Sequence, residues 1–117
     1  MVHVDTTTRR GTLRLAVQGQ LDMNAEGIFN EALTRAGWPG QRVEVDLGEV
    51  DFIDGSGLSM LIDAQSHAHS AGYKFVIVGA SRPVHRLIEI AGTTDRLPPI
   101  GAPESREPVA LTVTRVG

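Results

Sequence analysis

The chain has 117 residues, of which 41% are hydrophobic and 21% charged, with a net charge of −3. These values fit one soluble globular domain that buries roughly two thirds of its unfolded surface. The acidic balance and 4% aromatic content argue against a nucleic-acid partner or a base-stacking surface. No cysteine is present, which removes disulfides, thiolate metal sites and cysteine nucleophiles. No apolar run reaches the roughly 20 residues of a membrane span, and the first residues lack the basic-then-apolar order of a signal peptide. The expectation is a cytoplasmic protein with no membrane association.

In chain order, Val2 and Val4 suggest a first strand. Leu13, Leu15 and Val17 then alternate with Arg14, Ala16 and Gln18, the period of a half-buried strand, with Arg9-Arg10-Gly11 as the turn between the two. Gly19–Asp22 leads to Asn24, read as a helix N-cap, and Ile28, Phe29, Ala32, Leu33 and Ala36 follow at helical spacing. Gly37-Trp38-Pro39-Gly40 stops that helix.

Val43, Val45 and Leu47 alternate with Glu44 and Asp46, a further strand, and a loop is expected over Asp51–Gly57. Leu58, Leu61, Ile62, Gln65 and Ala68 mark one face of a helix ending near Gly72. Phe75–Val78 is a continuous apolar run, as in a strand covered on both faces. Pro83 opens a short helix whose inner face is Val84, Leu87, Ile88 and Ala91, and Gly92 ends it. Residues 101–108 read as loop, and Val109, Leu111 and Val113 alternate like a strand. Strands alternating with helices imply βαβ units and an α/β fold: one domain over residues 1–117, a small mixed sheet flanked by helices.

The stretch Asp54-Gly55-Ser56-Gly57-Leu58 carries the chemistry. Ser56 admits three readings. It can be the N-cap of a helix over Gly57–Ala71. It can be a hydrolase nucleophile, although the elbow pattern G-x-S-x-G is broken by Asp54 and Leu58 at its outer positions. Or it can be an acceptor for phosphorylation, because a helix start favours an anion. In that case Gly55 and Gly57, which have no side chains, let another protein's active site approach closely. Asp22 and Asp54 each end a predicted strand, where the functional edge of an α/β sheet lies. They are either ordinary turn residues or a pair for acid–base work or metal binding. Asp46 and Asp51 read as solvent-facing or turn residues. His67 and His69, two apart on a helix, face different directions and cannot share a metal. No metal or cofactor is expected.

Four pieces resemble the STAS domain family, in particular the bacterial anti-sigma-factor antagonists. They are G-Q-L-D at Gly19–Asp22, V-D-L-G-E-V-D-F-I-D-G-S-G-L at Val45–Leu58, G-Y-K-F-V-I-V at Gly72–Val78 and S-R-P-V-H-R-L-I-E-I-A-G at Ser81–Gly92. The resemblance implies a mixed sheet flanked by helices, and a protein that is not an enzyme. It implies that Ser56 is phosphorylated by an ATP-dependent anti-sigma factor serine kinase and restored by a PP2C-like phosphatase. Asp22, Asp54, Gly55, Ser56, Gly57 and Leu58 would then form the partner-binding surface. Two features depart from the family's pattern. Gly55 stands where many members carry a second hydroxyl residue, leaving Ser56 as the one acceptor in the loop, with Ser59 a turn further on. The family's closing helix is replaced by the strand-like alternation at 109–114. Two other readings stay open: a STAS module of a transport complex or stress-signalling scaffold, and a small hydrolase using Ser56.

Overall fold

A computed structural model describes residues 2–35, 39–91 and 114–116. Five strands form one sheet: β1 (His3–Arg9), β2 (Thr12–Leu21), β3 (Arg42–Ile53), β4 (Lys74–Ala80) and β5 (Thr114–Val116). Their spatial order is β4-β3-β2-β1-β5. The helices are α1 (Glu26–Leu33), α2 (Gly55–Ala71) and α3 (Arg82–Ala91), and a short 3-10 turn, Met23–Ala25, precedes α1.

β1 and β2 form an antiparallel hairpin that closes on Arg9 opposite Thr12. The two linking residues, Arg10 and Gly11, have φ of 48° and 81°. Positive φ at both positions is the two-residue hairpin turn whose twist matches the flanking strands. β2–β3 and β3–β4 are parallel, so α1 and α2 are the crossover helices of two βαβ units, as the alternation predicts. β5 pairs antiparallel with β1. It gives the C-terminal element as a strand, but at Thr114–Val116. Residues 109–113 of the expected strand lie outside the described residues, as do 101–108, Gly92, Ala36, Gly37 and Trp38.

The core follows the period-two and helical patterns. Leu13, Leu15 and Val17 of β2, Val43, Val45 and Leu47 of β3, and Phe75 and Ile77 of β4 are buried. They meet Phe29 and Ala32 of α1, Leu61, Ala64 and Ala68 of α2, and Val84 of α3 in one cluster. Helix α2 ends at Gly72, whose φ of 84° is the left-handed cap conformation; its N–H and that of Tyr73 both donate to the Ala68 carbonyl at 2.9 and 3.1 Å. Such a cap satisfies carbonyls that the helix end leaves open.

Two expectations are corrected. The loop expected to begin at Asp51 is strand: β3 runs to Ile53, because β2 offers backbone partners that far, pairing Gln18 with Glu49, Gly19 with Val50, Gln20 with Phe52 and Leu21 with Ile53. Two register shifts absorb the mismatch between the strands, and Gly19, with φ of 92°, supplies backbone freedom between them. Glu44, which alternation places outward, is 3% exposed. Its carboxylate pairs with Arg42 Nε at 2.8 Å and with Arg14 Nε at 3.8 Å, as a buried charge requires. Asp46 is half-buried and accepts the Gly48 N–H at 2.9 Å. A Cβ on the neighbouring Gly79 would collide with that carboxylate, so Gly79 makes room for it.

Candidate functional site: the Asp54–Ser56 helix start

Leu21 and Ile53 are paired at the ends of the parallel strands β2 and β3. The next residues, Asp22 and Asp54, therefore leave the sheet side by side at its carboxyl edge. Each has the extended backbone of an N-cap, with φ, ψ of −129°, −170° at Asp22 and −125°, −171° at Asp54. Each carboxylate turns back onto the helical segment after it. Asp22 Oδ1 accepts the Asn24 N–H at 3.0 Å, so Asp22, and not Asn24, caps the turn before α1. α1 itself starts at Glu26, and Ala25 at its N-cap position offers no side-chain cap.

Asp54 holds more. Its Oδ1 accepts the N–H of Ser56 at 3.0 Å, the N–H of Gly57 at 3.1 Å and the Ser56 hydroxyl at 2.6 Å. The N-cap of α2 is thus Asp54, and the helix begins at Gly55 instead of Gly57. Ser56 is the second helical residue and a donor to the cap. The reason is reach: a side-chain acceptor satisfies N–H groups two or three residues ahead of it, and Asp54 stands at that distance from Ser56 and Gly57. Residue types at this spacing make both Ser and Asp available as caps, and only the extended backbone at Asp54 decides between them.

The Ser56 hydroxyl is the largest of the causes that hold the Asp54 carboxyl below the usual carboxylate range, followed by the Gly57 N–H. The folded-state pKa lies under the ordinary 3.8. The cap's contribution to stability is therefore complete above that pH and is lost as pH falls through the folded value. Ser56→Ala is expected to raise the Asp54 pKa towards the ordinary value in a carboxyl-carbon NMR titration. An unmoved titration would mean that the hydroxyl does not serve the carboxylate.

The two glycines around Ser56 differ. Gly55 is exposed, and a Cβ added there would meet nothing within 4 Å. Gly57 is buried: a Cβ there would collide with the Leu21 carbonyl oxygen and lie 2.9 Å from Ile53 Cγ1. The reading of both glycines as clearance for another protein is corrected at Gly57, where the missing side chain lets the start of α2 press against the end of β2. Ser56 and Leu58 are half-buried, and the Leu58 N–H makes the first α-helical bond, to the Asp54 carbonyl at 3.0 Å.

Two further residues at this edge are exposed and apolar, and neither is singled out by the sequence pattern. Met23, directly after Asp22, is 70% exposed, and Phe52, two residues before Asp54, is 47% exposed. Only their position next to the capping aspartates could have drawn attention to them. A groove between α1 and α2 is lined by Glu26, Asn30, Met60, Asp63 and His67, among others; neither capping aspartate nor Ser56 lines it. Exposed His67 stacks edge-on with Tyr73, ring centroids 5.9 Å apart. Among the described residues no group of three His, Asp or Glu is placed to hold a metal, and no helix is long and apolar enough to cross a membrane.

The family model described as "Mlab, STAS domain" matches residues 4–99. The chain belongs to the STAS family. The match takes in all of the Asp22–Asp54–Ser56 edge. This STAS domain is 28% identical over 95 residues to the anti-sigma-B factor antagonist of Staphylococcus aureus, covering 80% of this chain and 88% of that one. It is 28% identical over 79 residues to a STAS-domain containing protein of Pseudomonas aeruginosa, covering 68% and 78%. Among solved structures, an anti-sigma factor antagonist from Mycobacterium paratuberculosis superposes with a TM-score of 0.64 at 18% identity, covering 87% of each chain. The antagonist SpoIIAA in its unphosphorylated form gives 0.57 at 16%, covering 76% of this chain and 80% of that one. At those identities the structural likeness establishes the fold alone, the mixed α/β STAS architecture that the motifs imply.

Proposed function

We propose that this STAS domain is an anti-sigma-factor antagonist that works by partner switching. With Ser56 free, it binds an anti-sigma factor serine kinase and so releases a sigma factor for transcription. When the kinase transfers the γ-phosphoryl of ATP to Ser56, the antagonist is released, and a PP2C-like phosphatase restores the free serine. The protein is substrate and binding partner in this cycle, acting in the cytoplasm, where ATP and the transcription machinery are found.

One observation carries the reading: the Ser56 hydroxyl is presented at the start of a 17-residue helix, on the carboxyl edge of the sheet, between exposed Gly55 and the Asp54 cap. A helix start with its N–H groups and positive dipole end favours an added phosphate by about 0.3–1 kcal/mol. The domain therefore tolerates the modification. A partner closed over the same edge must desolvate a group of about −1.5 to −2 charge beside Asp22 and Asp54, and it lets go. Met23 and Phe52 supply apolar contact at this docking edge, the kind of anchor that interfaces favour. The 28% identity to the anti-sigma-B factor antagonist of Staphylococcus aureus supports the same reading.

The test is to incubate the protein with its cognate kinase and ATP and to weigh it. One phosphoryl group, mapped to Ser56, is expected. Exposed Ser59 is the nearest competing acceptor, so the mapping is part of the result. Stable binding to a partner with no phosphoryl transfer would favour the scaffold or transport-module reading instead.

A further inference from the structure

Asp54 does more than a cap requires, and its twin at Asp22 shows the difference. Both aspartates leave paired strand ends with nearly the same backbone angles, and both cap the helical turn next to them. Asp22 does so with the single N–H of Asn24. Asp54 accepts the equivalent N–H, the next one as well, and in addition the Ser56 hydroxyl, which donates to it at 2.6 Å. A separation of 2.6 Å is the short, charge-assisted kind of O–H···O⁻ bond. It fixes the Ser56 rotamer and the direction of the O–H.

We propose that Asp54 is a positioning residue for phosphoryl transfer, orienting the Ser56 hydroxyl for attack and receiving its proton. This rests on the proposed function. With its hydrogen directed at Asp54 Oδ1, Ser56 Oγ keeps its lone pairs away from the carboxylate, and a Cβ on the preceding Gly55 would meet nothing within 4 Å. In the transfer, an Oγ lone pair forms the new bond to the γ-phosphorus of ATP. The bond from that phosphorus to the β–γ bridging oxygen breaks, and ADP leaves with its electron pair. The hydroxyl proton moves along the existing hydrogen bond onto Asp54 Oδ1 and passes from there to solvent. A carboxylate of low basicity suffices for this, because in a loose transition state the attacking oxygen loses its proton late. The substrate thereby brings part of the required alignment to the kinase.

Asp54→Asn tests the inference cleanly. Asn is as good an N-cap as Asp and keeps an oxygen near the hydroxyl, but it lacks the charge and cannot take the proton. Steady-state phosphorylation by the cognate kinase is expected to show kcat lowered about tenfold to a hundredfold, the range that misalignment of a reacting group produces, with a smaller change in KM. Asp54→Ser, another good cap with a neutral hydroxyl, is expected to show the same loss. Asp22→Asn removes an equal charge from the docking edge and is expected to act on KM rather than kcat. Full kcat in Asp54→Asn, or an equal loss of kcat in Asp22→Asn, would overturn the inference while leaving the proposed function standing. No phosphoryl uptake by the wild type would overturn both.

Discussion

Ser56→Glu is expected to bind the anti-sigma kinase about a hundredfold more weakly than Ser56→Ala, close to 3 kcal/mol, in titration calorimetry of the purified pair. Ser56→Ala is expected to bind and to take up no phosphoryl group. The two variants separate the hydroxyl from the charge. Both keep the backbone N–H groups of residues 56 and 57 that Asp54 accepts, so the helix start survives in each. The glutamate adds a negative group where Asp54 Oδ1 already lies 2.6 Å from the native oxygen, and a partner must strip water from both. A glutamate carries less charge than a phosphoserine, so the natural switch is expected to exceed the effect of the substitution. Equal affinities for the two variants would remove the electrostatic basis of release.

Gly57→Ala is expected to destabilise the fold by about 1–3 kcal/mol, the usual cost of forcing a methyl group into a filled site, and Gly55→Ala to leave stability unchanged or slightly raised. The difference is set by what each Cβ would meet. At Gly55 it meets open space, whereas at Gly57 it meets the backbone carbonyl of Leu21, which cannot swing aside as a side chain can. An alanine there must push the first turn of α2 away from β2, and Ser56 moves with it. Urea unfolding of the two variants measures this directly. Equal stabilities would mean that α2 does not seat against the end of β2. The pair also divides the loop by role: Gly55 concerns access to Ser56, and Gly57 concerns where Ser56 is held.

Much of this architecture is written locally. Leu13, Leu15 and Val17, or Val43, Val45 and Leu47, alternate because a strand half-buried in a sheet must alternate, and each set is buried. Pro83 and Gly72 mark a helix start and a helix stop because each has one backbone use that other residues serve poorly. Asp22 and Asp54 could be picked out as strand-end carboxylates because a strand leading into a helix needs an acceptor at the junction. Residues a few positions apart decide such features, and a sequence displays those positions together.

Other features depend on partners far along the chain, and only the folded molecule brings those partners together. β3 continues through Asp51 and Phe52 to Ile53 because β2 lies alongside to pair with it. Glu44 is buried because Arg14, from another strand, and Arg42 meet it there. Gly57 is required by the Leu21 carbonyl, which belongs to a strand much earlier in the chain. The division of labour between Asp54 and Ser56 is the sharpest case. Residue types at that spacing permit either to cap the helix, and the extended backbone where β3 leaves the sheet gives the cap to Asp54, freeing the serine hydroxyl to be aimed. Hydrophobic period and turn chemistry act over a few residues, while register, close backbone approach and charge burial are settled only when distant segments share the same space.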